Sequence, residues 1–420
     1  MASSSPIADA APRRWLSVVG IGEDGADGLS PVARNLVSSA DIVFGGERHL
    51  ALAATLIRGE ARAWPSPFER GIDDLLAARG RCVCVLASGD PFHYGVGAVL
   101  ARHVDPGEML ALPAPSAFSL AAARLGWALP HCTLLSLHGR ALDLVRPHLQ
   151  PGARVLALTS DAEGPAAVTR LLAECGFGES RLTVLEALGG PRERIRATTA
   201  QSFALGDVAA LNTVAIEVVA APGARIIARA SGLADDLFEH DGQITKREVR
   251  AVTLSALAPR RGETLWDIGA GAGSVAIEWM LADVSMRAIA IEARPDRAAR
   301  IARNAAALGV PGLEIVRGAA PEALKDLRTP DASFIGGGCD SAVLSTVISA
   351  LRAGGRLVVN AVTIETEVLL IARHVELGGT LTRIAIEHAE PLGRMTAWRP
   401  ALPVTQWCWV KPDAKPETKP

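Results

Sequence analysis

The sequence predicts an α/β protein of two successive units: an N-terminal α/β domain and a C-terminal Rossmann-like domain with a doubly wound sheet. Three observations carry this prediction. Short β-branched runs alternate with longer Ala-, Leu- and Arg-rich stretches at helical spacing. The alternation weakens once, over residues 221–240, and then restarts. A chain of 420 residues also exceeds one typical domain.

In the first half, "WLSVVGIG", "ADIVFGG", "RCVCVLASGD", "ARVLALTS", "RLTVLEAL" and "TVAIEVVA" read as strands, and with their intervening helices they fill residues 15–220. Residues 221–240 read as a linker, because strand signals there are weak and charges and glycines frequent. The second half, 241–410, reads helix 245–258, strand 264–269, helix 273–283, strand 287–292, helix 295–308 and strand 313–317. It continues with strand 331–335, helix 340–352, strand 356–361, helix 364–376 and strands near 381–388 and 404–410. The Pro-, Ala- and Lys-rich ends, residues 1–15 and 411–420, are expected to be disordered.

Composition narrows the partner. A formal net charge of -2 gives no electrostatic drive toward nucleic acid, and 4% aromatic residues with one tyrosine leave few stacking surfaces. A small-molecule partner, no nucleic acid and no membrane are expected. No apolar run is long enough to span a bilayer, and "MASSSPIADAAPRRW" lacks the basic-then-apolar order of a secretory signal, so the cytoplasm is the expected compartment. The six cysteines, at 82, 84, 132, 175, 339 and 408, show no zinc-ligand spacing. Strand alternation would put Cys82 and Cys84 on one buried face as small hydrophobes.

The strongest chemical signal is "DIGAGAGS", residues 267–274, between an apolar strand and an apolar helix. Its glycines admit two readings. Gly271, Gly273 and Ala276 satisfy the dinucleotide pattern G-x-G-x-x-G/A. Gly269, Gly271 and Gly273 give G-x-G-x-G directly after Asp267, an acid that would repel a pyrophosphate and suit a ligand bearing an ammonium and a sulfonium. Glu292, at the end of the next strand, is placed to accept two ribose hydroxyls in either case. Asp267 favours S-adenosyl-L-methionine over NAD. In the first half, "SGDPFHYG" ends a strand abruptly at Gly89-Asp90-Pro91, offering backbone and a carboxylate to a ligand.

These segments carry a family resemblance. "DIGAGAGSVAIE", "AIEARPDRAARIARNAAALGV", "IVRGAAPEAL", "SFIGGG" and "LRAGGRLVVNAVTIET" resemble the class I methyltransferases that methylate and decarboxylate corrin precursors. The resemblance implies cofactor contacts from Asp267, Gly269, Ala270, Gly271, Ala272, Gly273, Glu292, Ala319 and Ala320, and from Thr245 in the entry segment "DGQITKREVRAVTLSAL". The glycines 336–338 stand where amine methyltransferases carry Asn/Asp-Pro-Pro-Tyr, and leave room for a flat, bulky carbon acceptor. "GIG", "ADIVFGGERHL", "GDPFHYG" and "PAPSAFSLAAARLGW" resemble the class III tetrapyrrole methylases, which implies a second S-adenosyl-L-methionine site at Ser88, Gly89, Asp90, His93, Ser116 and Ala117. One departure stands out: Glu23-Asp24-Gly25 replaces the Gly-Pro-Gly-Asp that often follows the first strand.

In this order the halves resemble the decarboxylating precorrin-6Y methyltransferase family of cobalamin biosynthesis. That resemblance implies methylation of a tetrapyrrole at C5 and C15, loss of the C12 acetate carboxyl to give precorrin-8X, and a homo-oligomer. Decarboxylation needs an electron sink, which the protonated conjugated ring can supply. A substrate with many carboxylates calls for arginines; Arg394 in "EPLGRMTAW" is the leading candidate, ahead of Arg294 and Lys246. His138 is a weaker catalytic candidate, and His49 and His131 sit in no pattern that assigns them a role. The rival readings are an RNA or protein methyltransferase with a cofactor-empty N-terminal domain, and a half that only scaffolds the other.

Overall fold

In the computed structural model, which describes residues 14–413, the chain divides into two units. The first holds residues up to Leu142 together with Gln150–Arg225; the second holds Asp143–Leu149 and everything from Ile226 onward. Most of the two ends expected to be disordered lies outside the described residues. Their inner ends do not fit that expectation: Trp15 is buried, and the Lys411 ammonium donates to the carbonyls of Ile348, Ser349 and Leu351 at 2.8–2.9 Å.

The first unit contains two five-stranded sheets. Strands β1 (Leu16–Ile21), β2 (Ile42–Gly45), β3 (Glu60–Ala63), β4 (Val83–Ser88) and β5 (Met109–Leu112) pair in parallel in the order β3-β2-β4-β1-β5. Strands β6 (Cys132–Ser136), β7 (Arg154–Leu158), β8 (Arg181–Glu186), β9 (Arg194–Thr199) and β10 (Asn212–Glu217) form a mixed sheet in the order β6-β7-β10-β8-β9. The six strands read from sequence are the interior ones. The four that went unread, β3, β5, β6 and β9, are the four sheet edges. An edge strand needs no continuous apolar run, and "EARA" and "RIRATT" have none. Cys84 is buried as expected but Cys82 is exposed: β4 starts at Val83, so Cys82 lies before the strand, and its N–H donates to the Asp41 carboxylate at 2.9 Å.

The second unit is a seven-stranded sheet in the order β13-β12-β11-β14-β15-β19-β16. Its strands are β11 (Thr264–Ile268), β12 (Arg287–Glu292), β13 (Glu314–Arg317), β14 (Ala332–Ile335), β15 (Arg356–Ala361), β16 (Thr380–Ile384) and β19 (Val404–Val410). The first five are parallel, and β19 runs antiparallel to both β15 and β16. Strands β17 (Glu387–Leu392) and β18 (Met395–Pro400) form a separate hairpin, so the run read as one strand near 381–388 breaks in two. The helices have local causes. Pro295–Ala307 starts with proline at its first position and buries Ala298, Ile301 and Ala305 on one face. Ser341–Ala350 is capped by the Asp340 carboxylate, which accepts from the Val343 N–H at 2.8 Å. Among the described residues no helix is long and apolar enough to cross a membrane.

The stretch read as a linker packs into the second unit. Ile227, Leu233 and Phe238 join its buried cluster with Trp279 and Ile301. The fully buried Arg250 organises this strap. Its Nε donates to Glu278 at 2.6 Å, its Nη1 donates to Asp235 at 3.0 Å and to the Thr245 carbonyl, and its Nη2 donates to the Leu233 carbonyl. Glu278 in turn accepts from the N–H groups of Gly232 and Leu233, at 2.7 and 2.9 Å. Removing one partner of such a buried pair leaves an uncompensated charge. The Arg250→Ala variant is therefore expected to lose about 3–5 kcal/mol of unfolding free energy in urea titrations. A loss below about 1 kcal/mol would show that the strap holds without it.

Candidate active sites

In the second unit, the turns that follow β11 and β14 touch. Gly269 sits at φ +67°, and a Cβ there would lie 2.6 Å from the Gly337 carbonyl oxygen, so no other residue fits. These turns floor a cavity of about 1070 Å³. Gly269, Ala270, Gly271, Glu292, Ala319 and Ala320 line one side of it, and Thr245 lines it from the strap. Part of its wall is apolar, from Val362, Ile384, Ile386, Leu402 and Val404, with His388 on the hairpin. The volume slightly exceeds the common range for small-molecule sites, leaving space for more than one ligand.

Glu292 is held by the backbone. Its Oε2 accepts from the Gly271 N–H and its Oε1 from the Arg294 N–H, each at 2.9 Å. Each oxygen keeps a lone pair, so the carboxylate can still receive two hydroxyls. Lys246 and Arg294 also line the cavity; Lys246 lies 3.9 Å from Asp235, and Arg294 is paired with Asp296 at 2.9 Å.

Four candidates lie elsewhere. Asp267 is buried beneath the turn and does not line the cavity: its Oδ2 accepts from the Ala276 N–H at 3.0 Å. Burial pushes its carboxyl up to about 7, opposed by that hydrogen bond and reinforced by the Glu292 charge. The electrostatic argument that rested on Asp267 facing the ligand therefore does not match its position. Ala272 is buried, and its carbonyl accepts from Asn304 at 2.9 Å. Gly273 is absent from the lining and packs on Ile301. Arg394 is exposed in the turn between β17 and β18 and is not a lining residue.

In the first unit the candidates gather where β4 ends. Gly89, at φ +52°, places its Cβ position 2.8 Å from the Pro115 carbonyl and 2.9 Å from the Ser116 Cα. Ser116 caps the helix Ala117–Leu125, its Oγ accepting from the Ser119 N–H at 3.2 Å. The Asp90 carboxylate accepts from the Phe92 N–H at 2.8 Å, and the His93 ring lies 4.7 Å from that of Phe118. Phe92 and Tyr94 are about half exposed on this loop. His138 Nδ1 lies 3.3 Å from the Thr159 carbonyl oxygen. Glu23, in the departing loop, is an anchor that sequence reasoning missed: its buried side chain pairs with Arg48 and lies 3.7 Å from Arg192.

Known proteins match both units. Residues 16–204 match the model of the tetrapyrrole (corrin/porphyrin) methylases, and residues 236–411 that of the precorrin methyltransferase domain. A protein of Sinorhizobium sp named precorrin-6Y C(5,15)-methyltransferase [decarboxylating] is 61% identical, over 94% of this chain and 96% of its own. The chain belongs to this decarboxylating precorrin-6Y C5,15-methyltransferase family. Two shorter relatives match less than half of the chain. The cobalt-precorrin-7 C(5)-methyltransferase of Salmonella typhimurium is 32% identical over 43% of this chain and 88% of its own. A probable cobalt-precorrin-6B C(15)-methyltransferase (decarboxylating) of Pyrobaculum calidifontis is 34% identical over 42% of this chain and 95% of its own.

As a member of the precorrin-6Y methyltransferase family, this chain also places at the cavity residues that were not singled out as candidates, one of them inside the quoted segment "LRAGGRLVVNAVTIET". Asn360 lines the cavity and is fixed by Thr253 and Gln406 at 3.0 and 2.9 Å. The apolar wall comes from the loop after β15, from the end of β16 and the residues just after it, and from the start of β19 and the segment leading to it, where ordinary core residues and wall residues look alike. Among the described residues no group of three or more metal-ligating side chains converges.

Asp267 yields a pH prediction. Its folded value of about 7 lies above the ordinary 3.8, so the folded state holds more protons than the unfolded state between those limits, and stability falls as pH rises through them. The Asp267→Asn variant keeps an acceptor for Ala276 without the charge. Its stability advantage over wild type is expected to grow from near zero at pH 4 to a few kcal/mol, on the order of the linkage limit, and to level off above about pH 7. Urea unfolding at pH 4.5 and pH 8 measures this; an advantage equal at both pH values would mean that Asp267 is ionised throughout.

Proposed function

We propose that this chain is a cytoplasmic enzyme carrying two S-adenosyl-L-methionine sites, one in each unit. The first unit would methylate precorrin-6Y at C5. The second would methylate C15 and release the carboxyl of the neighbouring acetate. The observation that carries the reading is the full-length match to a protein named for both positions, beside shorter relatives each named for one.

The site residues suit this cofactor. In the second unit, bare backbone at Gly269 and Gly271 lets a ligand approach closely, and Glu292 offers two lone pairs to a ribose diol. When bound, S-adenosyl-L-methionine supplies an electrophilic methyl on a sulfonium. The chain's own residues then act by placement. The glycine floor at 336–338 and the apolar wall accommodate a flat macrocycle and keep water from the methyl. Lys246, Arg247, Arg294 and Arg297 at the cavity are cations for the acceptor's carboxylates, and replace Arg394 in that role. In the decarboxylation the bond to the carboxyl carbon breaks, its electron pair enters the protonated conjugated ring, and the methylene carbon is reprotonated. In the first unit, Gly89, Asp90, His93, Ser116 and Ala117 would hold the cofactor, with Ser88 beside them and Phe92 and Tyr94 offering an apolar face to the acceptor.

The reading includes self-association. Helix Ile364–Leu377 exposes Ile364, Val368, Ile371 and Val375 at spacings of four, three and four residues, and Ile364 and Val375 are 77% and 80% exposed. A second copy of the chain is the proposed cover. Sedimentation of the Val368→Glu/Val375→Glu double variant is expected to show a smaller species than wild type; an unchanged mass removes this face from the interface.

Mass spectrometry of the product made from reduced precorrin-6 tests the main reading. Two methyl gains and one carboxyl loss are expected from wild type. The Glu292→Gln variant is expected to raise the KM for S-adenosyl-L-methionine at the C15 step by about 10- to 100-fold, the worth of charge-assisted hydrogen bonds, and to leave C5 methylation intact. No methyl gain by wild type would refute the substrate assignment.

A further inference from the structure

We propose that Ser88 and His49 form a proton relay in the first unit, positioned by Arg48 and Glu23, which accepts the N–H proton the acceptor macrocycle must lose when a ring-attached carbon is methylated. This deepens the C5-transfer reading and rests on it. The residues come from the carboxyl ends of three adjacent strands: Glu23 follows β1, Arg48 and His49 follow β2, and Ser88 ends β4. That is where open parallel sheets bind ligands.

The hydrogen bonds fix the direction of every proton. Arg48 Nη2 lies 3.0 Å from His49 Nε2 and 2.9 Å from Ser88 Oγ, and Arg48 Nη1 donates to Glu23. A guanidinium only donates, so His49 Nε2 is an acceptor and the ring proton sits on Nδ1. Ser88 Oγ lies 2.8 Å from that same Nε2, so the serine hydroxyl must donate to it. Ser88 thus has its hydrogen committed to His49 and one lone pair committed to Arg48. It is exposed, and all it has left to offer a ligand is an acceptor lone pair. An N–H of the ligand is the group it can receive.

The arrangement is poised to take a proton and not to hold one. Burial first, and then the Arg48 charge, bring the His49 imidazole down to about 4, so it is neutral near pH 7, its single Nε2 lone pair shared between the Ser88 hydroxyl and the Arg48 N–H. The charged groups around it are Arg48 on its own helix and Glu23 from the β1 loop, with Arg192 3.7 Å beyond Glu23. Its Nδ1 is buried with no hydrogen-bond partner among the described residues, a cost that a purely structural histidine would not need to carry. The Glu23 carboxylate offsets Arg48 while His49 is transiently cationic.

The step balances. The enamine electron pair of the macrocycle forms the new C–C bond, the C–S bond breaks, and its pair leaves with sulfur as a neutral thioether. The ring nitrogen becomes an iminium N–H. Its proton passes to Ser88 Oγ as the serine proton passes to His49 Nε2; the Arg48 N–H leaves that lone pair and Arg48 stays bonded to Ser88 and Glu23, and the imidazolium returns the proton to water.

The test uses the full chain, with C5 methylation followed by mass spectrometry in single turnover and S-adenosylhomocysteine binding counted by calorimetry. His49→Gln keeps a neutral acceptor that cannot carry a proton. It is expected to slow C5 methylation at least about 100-fold, the usual worth of a positioned base, while both S-adenosylhomocysteine sites and the unfolding temperature are retained. Ser88→Ala is expected to show a similar loss, and added imidazole to restore part of the rate to His49→Ala. A His49→Gln rate within threefold of wild type, or loss of one S-adenosylhomocysteine site, overturns the relay. A wild-type chain that adds no methyl at C5 instead removes the reading beneath it.

Discussion

The second unit depends on one buried guanidinium. Arg250 is fully excluded from solvent, and a charge in that position is tolerated only when its donors are satisfied. Here they meet two carboxylates and two carbonyls, contributed by the helix at Glu278 and by the strap at Leu233, Asp235 and Thr245. An apolar residue could fill the same volume and pack on Phe238, as the guanidinium does at 4.8 Å. It could not draw strap backbone and side-chain oxygens to one point. Arg250 therefore secures the course of the chain from 233 to 245, which is the cavity wall that carries Thr245.

The two units solve the approach of a ligand differently. In the second, backbone does it: the turns after β11 and β14 come so close at Gly269 and Gly337 that side chains are excluded. In the first, Gly89 makes a similar approach to Ser116, but a chain of polar side chains runs beside it from Glu23 to Ser88. The Glu23 that departs from the common loop pattern is part of that chain. Its carboxylate compensates Arg48, which then orients both Ser88 and His49.

How much was legible in the sequence follows from where each signal arises. Strands buried on both faces must be apolar throughout, so β1, β4, β11 and β12 could be read and their ends placed within a residue or two. Edge strands such as β3 and β9 owe their state to a neighbour's hydrogen bonds, which leave no mark in composition. The glycine turn and Glu292 were legible because close approach and hydrogen bonding restrict residue type locally. The Arg48–His49–Ser88 contacts were not. They join residues some 40 positions apart, and nothing in "GGERHL" alone says that its histidine meets the end of another strand.

Asp267 and Glu292 show why a motif residue's type does not settle its task. Both acids end neighbouring central strands and belong to the same glycine-rich corner, and from sequence alone both face the ligand. Two register positions separate their fates, since Asp267 pairs with Ala290. Asp267 lies before the turn, under the helix it leads into, where its carboxylate serves the Ala276 N–H and burial favours its protonated form. Glu292 lies beside the turn with one backbone N–H on each oxygen and its remaining lone pairs toward the cavity. The inner acid shapes the turn and the outer acid meets what the turn receives. On the proposed reading, the glycines suit a ligand that tolerates bare backbone, and the position of the carboxylate, more than its presence, suits one that brings hydroxyls.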